Sequence, residues 1–199
     1  MKKSDLPVLG SPLNGGFFSG IINVNGVNFA IATAPKALGE SRQILLPNAK
    51  MVEGALSTFD SVANTIALAE AGSPAALWVQ SLVIDGNSNW VLPARDVLEI
   101  QYRNHKPTAE ENYCSFRDGD NPSSVPPGHL YTEESPAKTS IEIFQEGGSE
   151  AFEADWYISS TQYSTGYVCG QDFRDGGQGG SDVTSERRVR AVSLIQLND

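Results

Sequence analysis

The sequence predicts an α+β fold, with two main helices packed on a small, mostly antiparallel sheet and a long loop insertion between the two halves. Three observations carry this: a hairpin signal near the start, two segments of helical periodicity after it, and a C-terminal stretch that alternates large apolar with small polar residues between glycines. In the first, Ile22, Val24, Val27, Phe29 and Ile31 alternate with Asn23 and Asn28 around Asn25-Gly26, the pair a tight type I′ turn requires. The spacing places the five apolar residues on one buried face.

Ser57 and Asp60 suggest a helix cap, and Phe59, Val62, Ala63, Ile66 and Ala67 recur at helical spacing until Gly72 and Pro74, which predicts a helix over 58–71. Trp90-Val91-Leu92 reads as a short strand ending at Pro93. That proline opens a second helix over 94–104, with Val97, Leu98 and Tyr102 on one side. Ala75 to Leu82 suits a short third helix without a clear cap. Near the end, Trp156 to Thr161, Tyr167 to Arg174 and Arg188 to Leu197 read as three strands, and six of the fifteen residues from Gly166 to Gly180 are glycine, which points to tight turns.

Charge divides the chain unevenly. Residues 110–155 carry two basic and eleven acidic groups, nearly all of the net −10. The same region holds Asn121-Pro122, Pro126-Pro127-Gly128, Pro136 and Gly147-Gly148, so about 105–155 reads as a folded, acidic, loop-rich insertion. A chain with this charge has little with which to neutralise phosphates, which argues against nucleic acid and against an anionic membrane surface. No apolar run is long enough to insert in a membrane, and the Lys2-Lys3 start lacks the apolar segment of a secretory signal.

Enzymatic constellations are thin. Gly176-Gly177-Gln178-Gly179-Gly180 lacks the spacing of a phosphate loop, no nucleophile elbow surrounds Ser159 or Ser160, and only His105 and His129 are available as bases. His105 ends a helix and would cap its carbonyls as a cation. Asp118, Asp120 and Asn121 form an oxygen cluster, but Gly119 and Pro122 break a calcium-loop pattern, so a solvated acidic turn is the better reading. Cys114 and Cys169 read as two free, buried thiols. No catalytic residue, cofactor or metal is expected.

Tyr163, Tyr167, Gln171, Asp172, Arg174 and Gln178, with Gln162 beside them, lie on or near glycine-rich turns, and tyrosine with amides and arginine is the chemistry of adaptable binding loops. Ser159 and Ser160 suit close backbone approach, and Arg190 on a strand calls for a buried carboxylate or carbonyl. With Trp156, these read as structural. The expected ligand surface is the C-terminal hairpin with the 162–167 turn, not the acidic segment.

Asp155-Trp156-Tyr157-Ile158-Ser159-Ser160-Thr161, then Phe173-Arg174-Asp175-Gly176-Gly177-Gln178, then Arg187-Arg188-Val189-Arg190-Ala191-Val192 resemble in order the closing motifs of the Lcl C-terminal domain family. Trp90-Val91-Leu92-Pro93-Ala94-Arg95-Asp96-Val97-Leu98-Glu99 resembles its upstream segment, and the matches bracket about 55–197. Ile158 and Ser193 stand where the family usually has Trp and Arg, and Ala94 where it often has a hydroxyl. The family occurs in bacterial collagen-like adhesins and phage tail proteins, so the resemblance implies a C-type-lectin-like fold. It also implies a non-catalytic virion protein made in the host cytoplasm, a tail-fibre or baseplate tip that binds a host-surface receptor such as a polysaccharide. The alternative is a structural spacer or decoration protein touching only other virion proteins. Residues 1–16 would be an attachment or oligomerisation arm, residues 17–199 the domain, and the assembly a homo-oligomer, a trimer in the family's common form.

Overall fold

A computed structural model describes residues 1–115 and 117–198. In chain order its strands are β1 (Pro12–Leu13), β2 (Gly16–Val24), β3 (Val27–Thr33), β4 (Glu40–Ile44), β5 (Trp156–Ser164), β6 (Tyr167–Asp172), β7 (Gln178–Asp182), β8 (Glu186–Arg190) and β9 (Val192–Gln196). The α-helices are α1 (Lys36–Gly39), α2 (Ser61–Glu70), α3 (Pro74–Gln80) and α4 (Arg95–His105). Two sheets form, one in the order β1-β2-β3-β9 and one in the order β4-β8-β5-β6-β7.

This corrects the expected class. The chain is mostly β, with two sheets and only short helices, and it is not the C-type-lectin-like arrangement of two main helices on one small sheet. Three stretches account for the difference. The polar run Glu40-Ser41-Arg42-Gln43-Ile44 is an edge strand beside β8, where a fully apolar pattern is not needed. Gln178 to Asp182, glycine-rich and read as turn, is the opposite edge strand. The single strand expected over Arg188 to Leu197 breaks at Ala191, so that β8 serves one sheet and β9 the other.

The first hairpin forms around Asn25 and Gly26, whose φ values of 52° and 87° are those of a type I′ turn. Val24 faces Val27 and Ile22 faces Phe29. Ile22 and Ile31 are fully buried, whereas Val24 and Phe29 are half-buried and Val27 is exposed at the tip. The other face of this sheet is buried too, by Phe18, Ile21, Ala30 and Ala32.

Helix α2 begins at Ser61 because the Asp60 carboxylate accepts the Ala63 N–H at 2.9 Å. Its orientation reverses the reading from periodicity. Val62, Ala63 and Ile66 face solvent, and Ser61, Asn64 and Thr65 are buried. Each of the three makes hydrogen bonds that an apolar side chain could not: Ser61 to the Ala94 N–H, Thr65 to the Leu92 N–H, and Asn64 to the Ser57 carbonyl and Ser160. They satisfy backbone that no strand reaches, since Trp90 to Leu92 contributes only a bridge from Val91 to Val192. Helix α3 does have its cap, the Ser73 hydroxyl accepting the Ala76 N–H ahead of Pro74.

Among the described residues of 105–155 there is no strand of either sheet and one 3₁₀ turn, Glu142–Phe144. It is nonetheless anchored in the core. Tyr131, Phe144 and Phe152 join Tyr102, Tyr157 and Phe173 in an aromatic cluster, each large apolar side chain contributing about 1.5–3 kcal/mol by leaving water. Residues 1–16 also lie against the sheet, through the β1–β2 pairing and a bridge between Lys2 and Asn198. No helix among the described residues is long and apolar enough to cross a membrane.

Candidate functional site

A cleft of about 360 Å³ opens where the C-terminal hairpin meets the acidic insertion. Its floor is Tyr163 of β5, Cys169 and Gly170 of β6, and Gln178, Gly179 and Gly180 of β7; its walls are Arg95 at the start of α4 and Ser115, Arg117, Asp118 and Asp120 of the insertion. The glycines make the floor. A methyl group on Gly180 would overlap the Tyr163 phenol, and one on Gly170 or Gly179 would press on Trp156 from the other side of the sheet. Side-chain-free strands therefore let two aromatic rings lie on opposite faces of a single sheet layer.

Tyr163 and Tyr167 are 55% and 48% exposed, and their rings stack with centroids 6.1 Å apart. They form an aromatic platform at the cleft. Two ion pairs stand near it. Arg95 binds Asp96 at 2.7 Å, and Arg117 chelates Asp120 through two guanidinium nitrogens. Asp118 is nearly buried, and burial raises its carboxyl pKa although the Ser115 and Gln178 backbone N–H groups donate to it. Burial likewise raises the Cys169 thiol, with Arg95 opposing, so the thiol stays protonated at neutral pH.

The insertion wall is held in place by buried polar groups. Gly119, at φ +87°, lies against the Tyr131 ring. Tyr131 donates to Glu99 at 2.9 Å, and Glu99 also accepts from Asn121 at 2.7 Å and Arg103 at 2.8 Å. Burial raises the Glu99 carboxyl, with those three partners pulling it back down. Further along, Lys106 Nζ donates to the Glu110 carbonyl at 2.5 Å and to Asn112 at 2.8 Å. At the far end Arg190 is wholly buried, giving hydrogen bonds to the Ala34 carbonyl at 2.9 Å and the Glu150 carboxylate at 2.5 Å.

The seven side chains expected to touch ligand divide. Tyr163 and Gln178 line the cleft, and Tyr167 adjoins it through the stack. Gln162 is buried, accepting the Val52 N–H and donating to the Lys50 carbonyl. Gln171 is buried and bridges Gln178 to the Gly176 carbonyl, and Asp172 accepts the Arg174 N–H. Arg174 is exposed but does not line the cleft. Among the structural set, Trp156 covers the glycines, Ser159 donates to the Cys169 carbonyl, Ser160 accepts from Asn64, and Arg190 has both the carboxylate and the carbonyl its strand position called for. Comparison with known protein families, with curated proteins and with solved structures finds no match.

The acidic segment lines the cleft together with the hairpin, because Gly119 N–H donates to Gln178 and brings the turn onto the hairpin. Two expectations need correction here. His105 is not a cation capping its helix. It is buried, stacks on Phe144 at 3.9 Å and shares a hydrogen bond of 2.8 Å with Ser19; burial, aided by Arg190, lowers its pKa to about 3. Cys114 is exposed and Cys169 half-buried, and neither is in a disulfide. Among the described residues no group of three or more His, Cys, Asp or Glu side chains is placed to hold a metal ion. Arg95, Ser115 and Arg117 carry no local motif that marks a site, and they meet the hairpin only through the fold.

Proposed function

We propose that this protein is a non-catalytic binding component of a phage virion, a tail-fibre or baseplate tip whose cleft engages polysaccharide on the host surface. The observation that carries the reading is the exposed Tyr163–Tyr167 stack at a cleft lined by charged and amide groups. Planar aromatic surface beside fixed donors and acceptors is the usual composition of a ligand pocket. The motif order from Trp90 to Val192 supports the virion setting. The proposal of binding without turnover draws on the cleft's reactive groups: burial raises the Cys169 thiol, Asp120 pairs with Arg117, and Asp118 accepts backbone N–H groups. Other virion proteins and further copies of the chain, as a trimer in the family's common form, are the expected partners.

Particles carrying Tyr163→Ala and Tyr167→Ala are expected to adsorb to host cells at least tenfold less while assembling normally. Unchanged adsorption would remove the cleft from the function. A second reading, a spacer or decoration protein contacting only virion proteins, draws on the exposed apolar face of α2, where Val62 and Ile66 are 44% and 48% exposed. Substituting those two residues would then block assembly and leave the cleft variants silent.

A further inference from the structure

The charges in the cleft specify more than the presence of a ligand. Arg95 and Arg117 are its cations, and each is already paired with a carboxylate, Asp96 and Asp120. Asp118 adds another acidic side chain to the lining. Among the described residues no cation that lines the cleft is left uncompensated, and the chain around it carries a net −10. An incoming carboxylate, sulfate or phosphate would either displace Asp120 from Arg117 or join it as a second anion on one guanidinium, and in both cases it would face Asp118. Each arrangement sets like charges side by side, which opposes binding.

A sugar hydroxyl has the opposite requirement. It both donates and accepts, so two neighbouring hydroxyls can give to a carboxylate and take from a guanidinium without breaking the pair between them. The Arg117–Asp120 couple offers those two functions side by side, and it is accessible, with side chains 60% and 37% exposed. Tyr163 supplies the third element. It is 55% exposed, and the negative face of an aromatic ring attracts the weakly positive C–H face of a pyranose; the missing Cβ of Gly180 is what makes room for the phenol. We infer that the cleft selects a neutral pyranose, seated on Tyr163 with adjacent hydroxyls bridged to Arg117 and Asp120, and rejects carboxylated, sulfated and phosphorylated glycans. This rests on the reading of the cleft as a glycan site and names its ligand class.

The test titrates the full chain, by ligand-observed NMR, with fragments of neutral dextran, mannan and galactan and with their charged counterparts dextran sulfate and polygalacturonate, at low and at high salt. Binding of at least one neutral series is expected, changed less than twofold between the two salts, because screening acts on net charge. Tyr163→Ala should weaken it about tenfold, as should Arg117→Gln, each with an unchanged thermal midpoint. Preferential binding of the charged series, falling with salt, overturns the neutral assignment and leaves the glycan reading intact. If no series binds but Tyr163→Ala particles still lose adsorption, the ligand is not a glycan of this class; the inference fails while receptor binding stands. If neither glycan binding nor an adsorption defect is found, both fall.

Discussion

On the insertion side of the cleft residues 117–120 hang from α4 through Tyr131, Glu99 and Asn121, groups that are charged or polar and buried. On the hairpin side β6 and β7 meet it with Gly170, Gly179 and Gly180, and aromatic rings lie where side chains would otherwise stand. One wall is fixed by paired charges that have left water, the other by the absence of Cβ atoms. The difference predicts how each gives way: the first should respond to pH and to loss of single partners, the second to added volume and little to charge.

The largest effect is expected at Arg190, which ties Glu150 at the end of the insertion to β8. Arg190→Met strands Glu40 and Glu150 without their buried cation and should cost about 3–5 kcal/mol in chemical denaturation. A loss under about 1 kcal/mol would mean that buried charge does not anchor this side. Next comes pH. His105 is held neutral, its pKa lowered to about 3, so its contribution is complete above the unfolded value near 6.5 and is lost as pH falls toward 3. Between pH 6.5 and 5 that amounts to about 2 kcal/mol. Glu40 and Glu99, whose carboxyls burial raises, act in the opposite direction, favouring the fold as they take up protons. Comparing urea unfolding of the wild type with His105→Gln across this range isolates the histidine; parallel pH profiles would count against its buried neutral state.

Tyr131→Phe keeps the ring against Gly119 and removes the hydroxyl, with the bond it donates to Glu99 and the longer one it accepts from Gln171. It should lower stability by about 1–2 kcal/mol, with faster amide exchange in 115–120 as the specific sign that the wall has loosened. The smallest change belongs to the glycine side, where Tyr163→Ala should stay within about 1 kcal/mol of wild type in thermal melts. A greater loss there would show that the ring holds the sheet rather than resting on it.

Local chemistry made parts of this legible. Asn25-Gly26 dictates its own turn, satisfied by neighbours in sequence, and the alternation from Trp156 to Thr161 marks β5 by its pattern, although Ser160 and Thr161 find partners as distant as Asn64 and Ser57. What failed depended on partners far along the chain. The apolar stripe of α2 points outward because Leu92 and Ala94 bring unpaired backbone N–H groups to its other side, a demand visible only after folding. Likewise, nothing around Gly179-Gly180 announces a strand, since its pairing is supplied by β6 and its cover by Trp156 and Tyr163. For the cleft, Tyr163, Tyr167 and Gln178 were legible from composition, whereas Gln162, Gln171 and Asp172 carry the same chemistry turned toward backbone. Side-chain type alone does not separate those two uses.

The glycine layer has an optical consequence. Trp156 on one side of Gly170 and Gly179, and Tyr163 on the other side of Gly180, leave an indole separated from the cleft by a single thickness of backbone. Trp90 is buried in the core, away from solvent, and Trp78 lies on α3. Whatever settles on Tyr163 therefore sits beside a natural fluorophore, and replacing Trp78 and Trp90 with phenylalanine would turn the remaining emission into a built-in gauge of occupancy, with no label attached.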